Sequence, residues 1–240
     1  MAKWFKPKWR NRLQNDVDGT LKNRIEALTA TRPDETLSLL NTRFVVLDFE
    51  TTGLNIRKDV PIALGAVTVE NARIQNGRQF EKILFQPNTA AGAATLVHGI
   101  VPGEIAQGAD ITESLIDFYE YAKDAILIAF HAPFDKAILN KAAQSHLGSV
   151  PNYPFYDLED IACAFYPIPG KNLRGLDAWC QHFGFDMDID RHNASADAMI
   201  SAELLLVCLN QAKKLGITTW GSFLQKIEAQ TKLRKQQHQL

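Results

Sequence analysis

Asp48 and Glu50 stand two positions apart in the run Phe44-Val-Val-Leu-Asp48-Phe-Glu50. Along a β-strand successive side chains alternate between faces, so the two carboxylates leave the strand on the same side. Two carboxylates on one face form a ready clamp for a divalent cation, because hard ions such as magnesium take carboxylate and phosphate oxygens. An isolated Asp-x-Glu is more often a pair of strand-end acids reaching solvent. Here the context weakens that alternative. Phe44 and Val46 share the face, so the acids continue an apolar stripe, where a carboxylate is costly unless a cation or a donor meets it.

Two further aspartates fall on buried-looking stripes. Asp135 begins a helical pattern just after the apolar run 125–130, in register with Leu139 and Ala142. Its plain alternative is a first-turn aspartate favoured by the helix dipole, with Pro133 at the first position. Asp197 shares a helical face with Ser201, Leu204, Leu205 and Cys208, and allows the same two readings. His192 precedes that helix by a few residues, and five positions of helical geometry would turn it well away from Asp197, so it is expected on the entering loop. A loop histidine beside a metal-binding acid could act as a general base. His146, His182 and His238 are read as surface or satisfied core residues.

The elements that must bring these residues together can be outlined from pattern. Residues 44–48 form a continuous apolar run expected as a central strand, closed by a turn at Gly53. Further strands are expected over 62–69, running through Gly65, and over 78–85, with Asn76-Gly77 as the turn between them. Ile111, Leu115, Phe118, Tyr119 and Ala122 share a helical face, 125–130 reads as a strand, and Phe134, Ile138 and Ala142 begin another helix. A short strand at 154–157 and helices over 173–183, 195–209 and 219–232 complete the pattern. Ahead of all this, Val17, Leu21, Ile25 and Leu28 suggest a short helix, and Thr31 with Pro33 a second one. The expected fold is an α/β layer with a mixed central sheet flanked by helices. The expected organisation is a basic and helical extension over 1–42, a main domain over 43–212 and a helical tail over 213–240.

Bulk properties narrow the class. The chain has 240 residues, 46% of them hydrophobic, which suits one compact domain with appendages. No apolar stretch approaches the roughly 20 residues needed to cross a bilayer. The basic start is followed by Gln14, Asn15 and Asp16 rather than an apolar segment, so it does not read as a signal peptide, and the expectation is a cytoplasmic protein. Cys163, Cys180 and Cys208 lack the paired spacing of a zinc or redox site and are expected to be buried thiols. With 26 basic and 27 acidic side chains, the formal charge of −1 gives no support to tight nonspecific binding along a nucleic-acid backbone. An enzyme gripping only a chain end does not need it.

Taken together, Phe44-Val-Val-Leu-Asp48-Phe-Glu50-Thr-Thr-Gly53-Leu54, His131-Ala-Pro-Phe134-Asp135 and His192-Asn-Ala-Ser-Ala-Asp197 resemble, in order, the three exonuclease motifs of the DnaQ-like (DEDDh) 3′-to-5′ exonucleases. That group includes the proofreading epsilon subunit of bacterial DNA polymerase III and RNase T. Thr95-Leu-Val-His98-Gly99-Ile100 is similar to a segment the family carries between its first two motifs, and the resemblance covers roughly residues 43–212. It implies a ribonuclease H-like fold in which Asp48, Glu50, Asp135 and Asp197 hold two magnesium or manganese ions. It also implies that His192 takes a proton from the attacking water and that a nucleoside 5′-monophosphate is released. By the same resemblance the backbone near Thr51 and the side chain of Leu54 contact the last nucleotide, Leu54 as a wedge between terminal bases. His98 lies near that nucleotide, and Phe134 either shapes the pocket or packs in the core. The chain departs from the family where Phe130-His131 replaces a frequent His-Asn. The metal ligands are untouched, and Phe130 could offer a stacking surface instead. The expected substrate is nucleic acid with a free 3′ end, single-stranded DNA ahead of RNA. A polymerase partner is an extrapolation from the family. A non-catalytic binding module is the competing class, against which all five site residues are intact. The basic, tryptophan-bearing start, with Trp4 and Trp9, could steer substrate, although charged tails are usually only solvated.

Overall fold

The computed structural model describes residues 19–28, 32–87, 99–167, 175–185 and 193–237. The run Phe44–Thr51 forms strand β1, followed by β2 (Pro61–Glu70) and β3 (Arg73–Ile83). Short β4 (Ile126–Ala129) and β5 (Phe155–Asp157) complete a five-stranded sheet in the order β3-β2-β1-β4-β5. The β1–β2 and β2–β3 pairs are antiparallel, whereas β4 and β5 run parallel to β1. The sheet is therefore mixed, as the pattern of hairpins followed by helix-strand alternation anticipated.

Because side chains alternate, β1 feeds two cores. Val45, Leu47 and Phe49 pack with helices α3 (Ile111–Ala122) and α4 (Ala132–His146). Phe44 and Val46 face α5 (Leu158–Phe165), α7 (Ala194–Lys214) and α8 (Trp220–Gln237) on the other side. Helices α1 (Gly19–Ala27), α2 (Pro102–Ala106) and α6 (Leu176–Phe183) complete the set among the described residues. No helix among the described residues is long and apolar enough to cross a membrane. Cys180 and Cys208 are buried, Cys163 is half-buried, and none of the three is in a disulfide.

Two local expectations are corrected. The hairpin turn between β2 and β3 is Asn71-Ala72, with φ of 55° and 51°, not Asn76-Gly77. Positive φ at both central residues is what a two-residue hairpin requires. Gly77, at φ 84°, instead accommodates the irregularity where the β2–β3 register shifts between Val67 and Val69. The second correction concerns Pro33, which opens turns rather than a helix; Thr31 lies outside the described residues. The Asp34 carboxylate accepts from the Thr36 amide and hydroxyl, an alternative to helical pairing. The chain then pairs with the start of α8: Leu39 donates to the Thr218 carbonyl, and Trp220 and Gly221 donate to those of Leu37 and Glu35.

The flanks join the same cores. Leu21, Ile25 and Leu28 pack against the α3–α4 side, and Trp220, Phe223 and Ile227 are buried among α5 and α7.

Candidate active site

β1 and β4 are parallel neighbours, so their C-terminal ends open at the same edge of the sheet. That edge is where open α/β sheets bind ligands. Asp48 and Glu50 leave β1 there, half-buried, on the face shared with Phe44 and Val46, as period-two alternation requires.

Asp197 reaches them from the first turn of α7. Asn193 caps this helix, its side chain accepting from the amides of Ser195 and Ala196 at 2.9 and 3.4 Å. Asp197 is buried, and one carboxylate oxygen from each of Asp48, Glu50 and Asp197 lies within 4.8 Å of the others. What lets α7 come this close is Gly65, the cross-strand partner of Asp48. A Cβ on Gly65 would stand 2.2 Å from the Ala194 carbonyl carbon and 2.3 Å from the Ser195 nitrogen. These are backbone atoms, which cannot swing away. A glycine inside a strand pattern is the signal for such an approach, but nothing in the sequence says which segment approaches.

Asp135 comes from the first turn of α4, on the opposite side of the sheet edge. It is 3% exposed, and its Oδ1 accepts the Phe49 amide at 3.2 Å, which ties it to β1 between the two strand acids. Burial pushes its carboxyl well above the usual range; the Phe49 amide pulls it back, and the carboxylates of Asp157 and Glu50 push it further up. Burial likewise raises Glu50 from 4.5 to about 7, with the charge of Asp197 adding to it. Asp157 is a fifth acid near this edge that lies outside the three motifs. It ends β5 and caps α5 by accepting from the Glu159 amide at 2.9 Å, and its carboxyl is raised chiefly by burial. The signal available was an aspartate at the last position of a short strand before a helix.

Such a concentration of buried like charge is unfavourable unless a cation offsets it. The donor set is all-oxygen and acidic, which suits a hard divalent ion rather than a soft metal. Asp48, Glu50 and Asp197 would hold such an ion, with Asp135 alongside.

The remaining site residues fall as follows. Thr51 is buried and its hydroxyl donates to the Gly53 carbonyl at 2.7 Å, fixing the turn after β1. Leu54 projects from that turn at 87% exposure. Phe134 is half-buried and packs against the α3–α4 core, as its helical stripe suggested. Phe130, considered as a stacking surface, is buried in the core on the α5–α7 side, 7% exposed, with its ring in a T-shaped contact with His131. His131 is exposed in the left-handed conformation, φ 60°, with Nδ1 3.9 Å from Glu159 Oε2. Asparagine and histidine are among the few non-glycine residues that adopt this conformation readily, so the exchange at this position leaves the backbone intact. His192 and His98 lie outside the described residues.

The exonuclease family represented by RNase T matches residues 45–205. The chain belongs to this DnaQ-like exonuclease family. Among DnaQ-like relatives, it is 29% identical over 194 residues to a DNA polymerase III subunit epsilon-like protein of Rhodobacter capsulatus, covering 80% of this chain and 27% of that protein. It is 31% identical over 175 residues to a PolC-type DNA polymerase III of Bacillus subtilis, covering 72% of this chain and 12% of that protein. The chain thus spans little more than a quarter of the first relative and less of the second. Its fold is similar to that of E. coli exonuclease I in complex with a dT13 oligonucleotide, with TM-score 0.60, 16% identity, and 73% of this chain and 42% of that one covered. It is also similar to exonuclease X in complex with 5′ overhanging duplex DNA, with TM-score 0.55, 19% identity, and 71% and 93% covered. The DnaQ-like assignment and the mixed sheet flanked by helices agree.

Proposed function

We propose that the protein is a metal-dependent 3′-to-5′ exonuclease that removes nucleoside 5′-monophosphates from the 3′ end of single-stranded DNA. The observation that carries this reading is the convergence of Asp48, Glu50 and Asp197 within 4.8 Å at the sheet edge, with Asp135 held beside them. The DNA polymerase III names of the relatives and the DNA bound in the similar structures support DNA over RNA.

Two magnesium or manganese ions held by Asp48, Glu50, Asp135 and Asp197 would neutralise the scissile phosphate and make water a better nucleophile at neutral pH. The chain's own residues supply the rest. The Phe49 amide holds Oδ1 of Asp135 and so keeps this carboxylate beside the strand acids. Leu54 meets the terminal base, and the Thr51–Gly53 turn presents backbone to the last nucleotide. Apolar contact of this kind is tolerant of sequence because every base has a face. His192 accepts the proton of the attacking water; the water oxygen bonds to phosphorus as the bond to the preceding nucleotide's 3′ oxygen breaks. The cleaved nucleotide keeps its 5′ phosphate.

The test is incubation of purified protein with magnesium and end-labelled single-stranded DNA and RNA, with Asp48→Ala and His192→Ala as controls. Stepwise shortening of DNA from the 3′ end, dependent on metal and absent from both variants, is the expected result. No cleavage of either nucleic acid, with binding retained, would replace it by a non-catalytic binding module.

A further inference from the structure

The loop joining β1 to β2 exposes Leu54 and, to a lesser degree, Ile56, next to exposed Arg57 and Lys58. Apolar side chains held out into water on a loop give it no core of its own, so its order has to come from polar contacts. Two devices supply them. From within, the Asp59 carboxylate accepts the Thr52 hydroxyl at 3.0 Å and the Asn55 amide at 2.7 Å, while the Lys58 and Asp59 amides donate to the Asn55 carbonyl. Gly53 leaves the space this needs, since a Cβ there would stand 2.7 Å from Asp59 Oδ2.

From outside, Lys141 of α4 reaches over the loop. Its Nζ donates to the carbonyls of Ile56 at 2.9 Å, Asp59 at 2.8 Å and Arg57 at 3.4 Å. An ammonium has three protons and no acceptor, so three converging carbonyls match its capacity. The helix that supplies Lys141 is the one whose first turn carries Asp135. One side chain therefore ties the loop bearing Leu54 to the helix bearing a site acid.

We propose that Lys141 is a positioning residue: it fixes the 52–60 loop relative to α4, so that the surface meeting the terminal base keeps a set distance from the acids that meet its phosphate. The proposal rests on the exonuclease reading. Lys141 acts on capture of the strand end and leaves the chemical step alone, because its contacts are to backbone of the loop and none is to a site carboxylate.

The full chain and its Lys141→Met variant, which keeps an apolar stem without donors, are compared in two measurements. Hydrogen exchange of the loop peptide, without DNA or metal, reads the clip directly and needs no activity. Steady-state and single-turnover cleavage of an oligothymidine with magnesium read its consequence. If the loop of the variant is in place about a tenth of the time, KM rises about tenfold while the saturated rate is unchanged. Leu54→Ala then loses less in the Lys141→Met background than in the native one, since the two act through the same contact. Lys141→Arg restores charge without the three-carbonyl geometry and recovers only part of KM. Unchanged loop exchange, an unchanged KM, or a fall in the saturated rate as large as the fall in kcat/KM would each overturn the proposal. An inert native protein would overturn the exonuclease reading instead, and the exchange comparison would still decide whether Lys141 holds the loop.

Discussion

One face of β1 carries Phe44 and Val46 at its start and Asp48 and Glu50 at its end, and the two halves meet opposite surroundings. Phe44 is fully buried, with its ring edge-on to Trp220 at 6.0 Å; Trp220 in turn contacts Tyr156 at 5.1 Å, and Phe223 stacks on Phe165 at 4.7 Å. The acids face the first turn of α7 across a close approach that only glycine at 65 permits. The start of the strand is thus stabilised by burial of apolar surface, and the end is loaded with like charge that folding has to overcome. The packing partner at the stabilised end, α8, lies beyond the segment that matches the exonuclease family, whereas the acids lie within it. The same strand face therefore separates what holds the fold from what the fold is for.

Asp48→Asn tests the charged end and should have the largest effect. Loss of one ligand carboxylate should lower the cleavage rate about a thousandfold or more, several kcal/mol of transition-state stabilisation. The metal-free melting temperature should stay level or rise, because one like charge is gone. A fall in melting temperature comparable to a core truncation would break the comparison.

Phe223→Ala tests the other end. Removing a fully buried ring should cost about 3–5 kcal/mol of stability, read by urea unfolding. Cleavage per folded molecule should be unchanged at low temperature, and a loss of rate by folded protein would show that the two ends are coupled. Between these lies Gly65→Ala. The added methyl must displace the start of α7, and a shift of about 1 Å in a site group lowers rate about a hundredfold. Magnesium binding, followed by calorimetry, should weaken in parallel, and native affinity would mean that the site does not depend on the close approach at Gly65.

How much of this was legible in the sequence depends on whether the cause was local. The alternation of Phe44, Val46, Asp48 and Glu50 fixes a shared face from neighbouring residues alone, and the stripe from Asp197 to Cys208 did the same for α7. Gly65 was visible as a glycine in a strand, yet its reason is the backbone of Ala194, which is distant in sequence. The Asn76-Gly77 pair had the composition of a hairpin turn, but the pairing of Glu70 with Arg73 places the turn at Asn71-Ala72. Trp220 and Phe223 were on a recognisable helix; that they complete the core beside Phe44 follows from tertiary packing. Lys141 has no motif at all, because its partners are carbonyls, which every residue has.

The smallest expected effect is on pH dependence, and it isolates the charged end. In the metal-free protein Glu50 holds its proton to about 7, against 4.5 for an ordinary glutamate. Between those values the unfolded chain has released a proton that the folded chain keeps, so stability falls as pH rises through the window and the full penalty is present above it. Asp135 is shifted in the same direction. A divalent ion competes with these protons, so the rise in melting temperature on adding magnesium should be larger at pH 8 than at pH 5.5. Glu50→Gln removes one proton from this balance, and the metal-free fall in melting temperature between pH 5.5 and pH 8 should shrink relative to the native protein. An equal fall in both proteins would mean that the acids at the end of β1 are already neutralised by the chain itself, and the contrast between the two ends of the strand would then be one of shape rather than of charge.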